Sequence, residues 1–283
     1  MFSHSVSHLL NAGARLNQQE PLRNGNIISL PGVGDLVVAG DLHNHHRNFE
    51  RVQTVANLEK NPQRHVILQE IVHGGVLGAD GGDHSLEMLL DAIAWADKFP
   101  GQVHFLLANH DLAQVQGQPV MKDGYDLTDR FTRYFKMRAG GDWAGAQAAF
   151  RNFFMTMPLG AVTFSGIMLT HSLPGPRDMP TFDPAILRRA LTDADYARNG
   201  SVYQMIWGRG QTPEVLATLA KAWWSELFIC GHQAQDTGFG TLAGKMLILD
   251  SSHNHGVYLK IDLARPYTLE DLTAAVKPLA SVA

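Results

Sequence analysis

The chain has 283 residues, enough for one large domain or two small ones, and its 45% apolar and 18% charged content is that of an ordinary globular protein. A net charge of -4 gives no electrostatic reason to expect nucleic acid or an anionic membrane as partner. The single cysteine, Cys230, excludes a disulfide framework, no apolar run approaches the ~20 residues of a membrane span, and the N-terminus lacks the pattern of a signal peptide, so the cytoplasm is the expected compartment.

Residues 4–16 read as a short amphipathic helix and 18–25 as a polar linker, so 1–25 are expected to precede one domain over 26–283. Two β runs, Asn26–Leu30 and Asp35–Ala39, flank the turn-forming Pro31-Gly32-Val33-Gly34, which predicts a hairpin. A helix over Phe49–Leu58 stops at Asn61-Pro62, and His65–Leu68 is the next strand. A glycine-rich loop, Gly74–Asp83, leads to a helix over Leu86–Phe99 and a strand over Val103–Leu107. This alternation implies parallel strands with right-handed crossovers. Residues 111–155 read as mostly helical. Leu159–Phe164 and Gly166–Thr170 read as strands, 184–198 and 212–224 as helices, and Leu227–Cys230, Leu247–Leu249 and Val257–Ile261 as further strands. No repeat or linker divides the chain, and a single α/β domain follows.

The chemistry lies at strand ends. Asp41 and His43 follow the run Val37–Ala39 and the turn at Gly40. On an extended backbone, residues two apart point to one side, and open α/β sheets bind ligands at the carboxyl ends of their strands. An oxygen and a nitrogen donor together suit a divalent metal. The pattern recurs: HVIL runs into Gln69-Glu70, VHFLLA into Asn109-His110-Asp111, IMLT into His171, and LFICG into His232. Any one of these can cap a turn or be a satisfied core histidine; the ordered series argues for one pocket. The chain also carries 14 His, more than packing needs. His4, His8, His65, His84 and His104 read as structural, Trp207 as core or pocket wall, and His253 and His255 as outlying.

The order D-x-H, strand–carboxylate, N-H-D, H, G-H resembles that of the calcineurin-like metallophosphoesterases, with a texture similar to the phosphoprotein phosphatase branch that includes bacterial diadenosine tetraphosphatases. Gly40–His43 resembles the GDxH motif, and Val103–Asp111 resembles the strand into GNHE, with Ala108 in place of Gly. Met157–Leu159 and Ile167–Leu173 resemble the stretch leading to HGG, Gln204–Gly208 a segment carrying LLW, and Cys230–Thr237 the GH motif. The resemblance spans about residues 35–262. It implies two packed mixed β-sheets flanked by helices and a site for two divalent transition metal ions, with Mn, Fe or Zn suiting the mixed donors. Asp41 and His43 would hold the first ion, Asn109, His171 and His232 the second, with Glu70 as bridge and His110 as general acid. The implied reaction is hydrolysis of a phosphate ester by a hydroxide that the metal pair activates. The substrate would be a phosphorylated small molecule, nucleotide or protein. The rival readings are a dinucleoside polyphosphate hydrolase or phosphodiesterase, and a non-catalytic binding protein retaining the fold.

Where the family carries GDxxDRG, this chain has Leu68–Gly74, LQEIVHG. Glu70 adds a methylene to the bridge, so Glu70→Asp is expected to keep or raise turnover. His73 takes the place of the Asp that pairs with the catalytic histidine, which puts it with His110 and Glu70 in the catalytic set. Gly74 stands where the phosphate-gripping Arg would be, and His171-Ser172-Leu173 replaces HGG. His45, His46, His73 and Arg209 are the nearest replacements for the lost phosphate contacts, with His45 and Arg209 assigned to substrate.

Overall fold

The computed structural model describes residues 5–74, 77–122 and 124–282; His4, the expected start of the first helix, and part of the glycine-rich loop lie outside them. The chain opens with α1 (Val6–Gln18), β1 (Arg23–Asn24), β2 (Ile27–Ser29), β3 (Asp35–Asp41), α2 (His46–Ala56), β4 (Arg64–Gln69), α3 (Ser85–Lys98) and β5 (Val103–Leu106). Then come α4 (Asn109–Gln116), β6 (Met121–Lys122), β7 (Tyr125–Asp126), α5 (Leu127–Ala139), α6 (Trp143–Met155), β8 (Gly160–Val162) and β9 (Ile167–Thr170). The last part holds α7 (Asp193–Tyr196), α8 (Ser201–Trp207), α9 (Pro213–Trp223), β10 (Leu227–Cys230), β11 (Phe239–Leu242), β12 (Met246–Leu249), β13 (Val257–Asp262), α10 (Leu269–Ala275) and β14 (Val276–Pro278).

Among the described residues the strands form one sheet in the order β14-β13-β3-β4-β5 and a second in the order β1-β2-β8-β9-β10-β12-β11, with β6-β7 a separate ribbon. β3, β4 and β5 run parallel, as do β9, β10 and β12. The strand–helix rhythm therefore yields parallel pairing, as expected. The hairpin expected around Pro31–Gly34 does not form: β2 pairs with β8 in one sheet, and β3 pairs with β4 and β13 in the other. The turn residues instead carry the chain from one sheet to the other.

Strand alternation builds the layers. Leu36 and Val38 of β3, Ile167 and Leu169 of β9, and Leu247 and Leu249 of β12 share a buried cluster between the sheets. Val37, Ala39, Met168, Met246 and Ile248 belong to the larger cluster under the helices, with Leu10 and Ala14 of α1 in the same layer. The two sheets touch at their carboxyl ends, where an isolated parallel bridge joins Asp41 to Asp250. Gly40 is required there, because a Cβ would collide with the carbonyl of Leu249.

At the opposite rim, Glu20 Oε2 lies 3.0 Å from His104 Nδ1, and His104 Nε2 lies 3.0 Å from His65 Nδ1. Burial, then the neighbouring His104, pulls His65 down to about 4 from an ordinary 6.5. Burial acts to raise Glu20, but its hydrogen bond and charge interaction with His104 hold it below the usual range. Both groups have depressed values in the folded state, so both stabilise fully above their unfolded values, and that stability is lost on acidification. Thermal melts should fall as pH is lowered from about 7 to about 4.5, and His65→Gln, which does not titrate, should flatten the upper part of that slope. An equal slope in the variant would remove His65 as the cause.

Candidate metal centre

Every strand-end donor singled out from the sequence comes to one place at the carboxyl rim of the two sheets. The backbone there is strained: His43 (φ 41°), Asn44 (58°), Glu70 (44°), His73 (63°) and His232 (66°) all occupy the left-handed region that side chains other than glycine avoid. Such geometry persists only where the surroundings enforce it. Here the enforcement is a lattice of main-chain bonds: Leu42 N–H and His43 N–H both donate to the Glu70 carbonyl, at 3.1 and 2.8 Å, and Asn44 N–H donates to Ile71 at 2.9 Å.

Two donor groups result. In the first, His43 Nδ1 lies 3.2 Å from the Val72 carbonyl, which can only accept, so Nδ1 carries a proton, and in the neutral ring Nε2 is the free donor atom. That Nε2 is 3.4 Å from Glu70 Oε2. In the second, Asn109 Oδ1 sits 2.7 Å from His171 Nε2 and 3.0 Å from His232 Nδ1. Glu70 Oε1 lies 3.6 Å from His171 Nε2, and it accepts the His110 N–H at 3.1 Å. Asp41 Oδ2 accepts the His232 N–H at 2.8 Å, and Asp41 Oδ1 is 3.6 Å from His171 Nδ1. Ligand atoms of Asp41, Glu70 and His171 gather within 4.8 Å of one another, and so do those of His43, Glu70 and His110.

The electrostatics call for cations. Burial, then the charge of Glu70, drives Asp41 well above the usual carboxylate range. Burial, then the nearby Asp111, pushes Glu70 up to about 8. Buried Asp41 Oδ1 has no hydrogen-bond partner among the described residues. Dehydrated carboxylates of this kind are costly unless a positive charge joins them, and two of the imidazoles beside them supply none: burial holds His171 and His232 below their ordinary value, His232 at about 3. The N and O donor set fits divalent transition metals. Gly231 belongs to the same construction, since a Cβ there would strike Asp41 Oδ1.

The remaining expected residues are placed as follows. His110 lies in the first turn of α4, its ring centroid 4.9 Å from that of His43 and 5.3 Å from that of His73. His73 is buried behind it and bonds elsewhere, with Nε2 at 2.6 Å from Gln114 Oε1. His45 caps α2, its Nδ1 accepting from Asn48 N–H at 3.2 Å. Arg209 is exposed just beyond α8, near enough for its charge to act on Glu70, His171 and His232. His253 bonds to the Gln235 carbonyl at 2.9 Å, outside the cluster. Gly74 has a clear cause: its φ is 151°, and a Cβ would lie 2.7 Å from the His43 carbonyl, so no arginine fits at that position.

Sequence reasoning assigned no role to three residues at the site. Gln69 Oε1 lies 3.0 Å from His171 Nδ1. Burial pushes Asp111 up to about 8, even though it accepts the Ala108 N–H at 3.0 Å. Lys122 is exposed on β6, and its charge acts on His110. Gln69 and Asp111 adjoin assigned ligands, which was the available signal; Lys122 was hidden in a stretch read as helix.

Two β-sheets packed face to face, with nitrogen and oxygen donors gathered where their strands end, make the frame of a metallohydrolase. The chain belongs to the calcineurin-like phosphoesterases, whose family model matches residues 35–262, and it is accordingly a phosphoric ester hydrolase. A comparison with curated proteins gave no match. Among solved structures, a protein serine/threonine phosphatase from Saccharomyces cerevisiae, described as similar to human phosphatase PP5, superposes with a TM-score of 0.70 at 12% identity, covering 97% of this chain and 92% of its own. A cold-active protein-tyrosine phosphatase from a psychrophilic Shewanella aligns with a TM-score of 0.57 at 15% identity, covering 85% of this chain and 79% of its own. At such identities the likeness is one of fold. Among the described residues no helix is long and apolar enough to cross a membrane.

Proposed function

We propose that this chain is a phosphomonoesterase that works with two divalent ions, manganese, iron or zinc. Asp41, His43 and Glu70 would hold one, and Glu70, Asn109, His171 and His232 the other. The observation that carries this is the position of Glu70: Oε2 is 3.4 Å from His43 Nε2 and Oε1 is 3.6 Å from His171 Nε2, so one carboxylate spans both donor groups. When bound, the ions supply Lewis-acid charge and lower the pKa of water for in-line attack on phosphorus.

The protein's own part is orientation and proton transfer. Exposed Arg209 and Lys122, whose charges already act on the centre, would meet the phosphate oxygens that Gly74 leaves ungripped. His110 would give its proton to the leaving oxygen. Burial, then the neighbouring His43, holds it neutral in the free protein, and an arriving phosphate dianion favours the protonated form it needs.

Elemental analysis combined with turnover of an aryl phosphate tests this reading. Up to two transition-metal ions per chain are expected, with turnover lost to a chelator, regained with manganese, and absent from a His43→Ala/His171→Ala variant. A metal-free protein that stays inert after manganese addition would support a binding role on the same fold.

A further inference from the structure

Gln69 is buried on the last residue of β4 and faces across the gap between the sheets, toward His171 after β9. Its amide can be oriented from its partners. One end lies 3.2 Å from the Ala39 carbonyl, which only accepts, so that end is the Nε2 donor. The other end is therefore Oε1, an acceptor, 3.0 Å from His171 Nδ1. The next oxygen to that nitrogen, Asp41 Oδ1, is at 3.6 Å, beyond a hydrogen bond. Among the described residues, Gln69 alone is thus placed to receive a proton on Nδ1.

A neutral imidazole carries one N–H. With the proton on Nδ1, the Nε2 lone pair of His171 faces Asn109 Oδ1 at 2.7 Å and Glu70 Oε1 at 3.6 Å, so that only acceptors meet there. That is the arrangement a cation needs. The other tautomer would donate Nε2–H straight to Asn109 Oδ1, consuming the imidazole lone pair and engaging the amide oxygen at once. We infer that Gln69 is a positioning residue: it holds His171 as the Nδ1–H tautomer and so keeps Nε2 and Asn109 Oδ1 available to the second ion. This rests on the reading of His171 as a metal ligand. Groups behind metal-binding imidazoles act this way in general, and their loss costs roughly 10–100-fold in metal affinity.

The test reads the tautomer in metal-free protein and the affinity separately. Histidine-labelled protein stripped of metal is examined by nitrogen-15 NMR, with His171 assigned by its loss in His171→Asn, and manganese binding is followed by calorimetry. Wild type should show His171 protonated at Nδ1. Gln69→Met, similar in length but lacking the acceptor, should shift the proton to Nε2 and weaken the second ion by roughly 10–100-fold, with the first changed far less. Gln69→Glu, which keeps an acceptor oxygen, should retain the Nδ1–H form. A wild-type His171 protonated at Nε2, or a Gln69→Met variant that keeps Nδ1–H, overturns the inference. So does an equal loss of both ions with a lowered melting temperature, which marks a packing role. Wild-type protein that shows the expected tautomer yet binds no manganese would instead overturn the proposed function.

Discussion

Glu70→Gln is expected to release metal and to lower turnover by at least about 100-fold, the equivalent of roughly 3 kcal/mol of lost transition-state stabilisation. The substitution preserves length and leaves one oxygen in place, so the fold should be untouched. What it removes is the negative charge between the donor groups, and one of the two oxygens that reach His43 and His171. Metal content should fall toward one ion per chain or fewer. A Glu70→Gln variant that keeps both ions and turns over at the wild-type rate would show that the bridge comes from another carboxylate. Glu70→Asp separates charge from reach. The family pattern argued that the shorter arm would keep or raise turnover, but the geometry favours the opposite sign. The Glu70 backbone is already in the left-handed region, and Oε1 is tied to His110 N–H at 3.1 Å. An arm shortened by a methylene cannot span both donor groups without moving strained main chain. Reduced metal affinity with charge intact is the expected result, measured by calorimetry beside the Glu70→Gln variant.

The same contrast shows what was legible in the sequence. The central strands of both sheets were readable because they are short apolar runs bounded by polar residues, and their polar endings were readable as a site because parallel strands deliver their carboxyl ends to one rim. Asp41, His43, Gln69-Glu70, Asn109–Asp111, His171 and His232 were singled out on that ground, and the family resemblance chose the six expected ligands among them. Pro31–Gly34 misled because turn chemistry fixes a reversal of direction and not which strands pair; β2 and β3 join different sheets. β6 and β7 were hidden because strands of two residues have no detectable period inside a helical stretch. β11, β14 and α10 were unread for a related reason: they are short, and none is enclosed as the central strands are. At the site, the orientation of Gln69 depends on a carbonyl of β3, and the bond from His73 to Gln114 depends on how α4 lies against residues after β4. Neither is encoded in spacing. The glycine at position 74 looked like a missing contact, and the structure supplies its steric cause in the adjacent main chain of His43.

His110→Asn should lower kcat by roughly 10²–10⁴-fold, the usual contribution of a positioned general acid, while metal content stays at the wild-type level. Asn keeps a polar side chain at the start of α4, and the His110 backbone N–H that binds Glu70 is unaffected, so the donor cluster should persist. Loss of the proton donor should be felt most where the leaving oxygen is most basic. Alkyl phosphates should lose the full factor, whereas aryl phosphates with strongly acidic leaving phenols, which depart without a proton, should lose little. A plot of log kcat against leaving-group pKa should therefore be steep for the variant and shallow for wild type. Parallel lines for the two proteins would assign His110 to substrate positioning instead. His73 supplies an internal comparison. Its ring is 5.3 Å from His110 and its Nε2 is engaged with Gln114, so it touches His110 only through ring packing. His73→Gln should leave the leaving-group slope close to that of wild type. A slope as steep as that of His110→Asn would mean that His73 helps to keep the proton on His110, as the aspartate at its family position does.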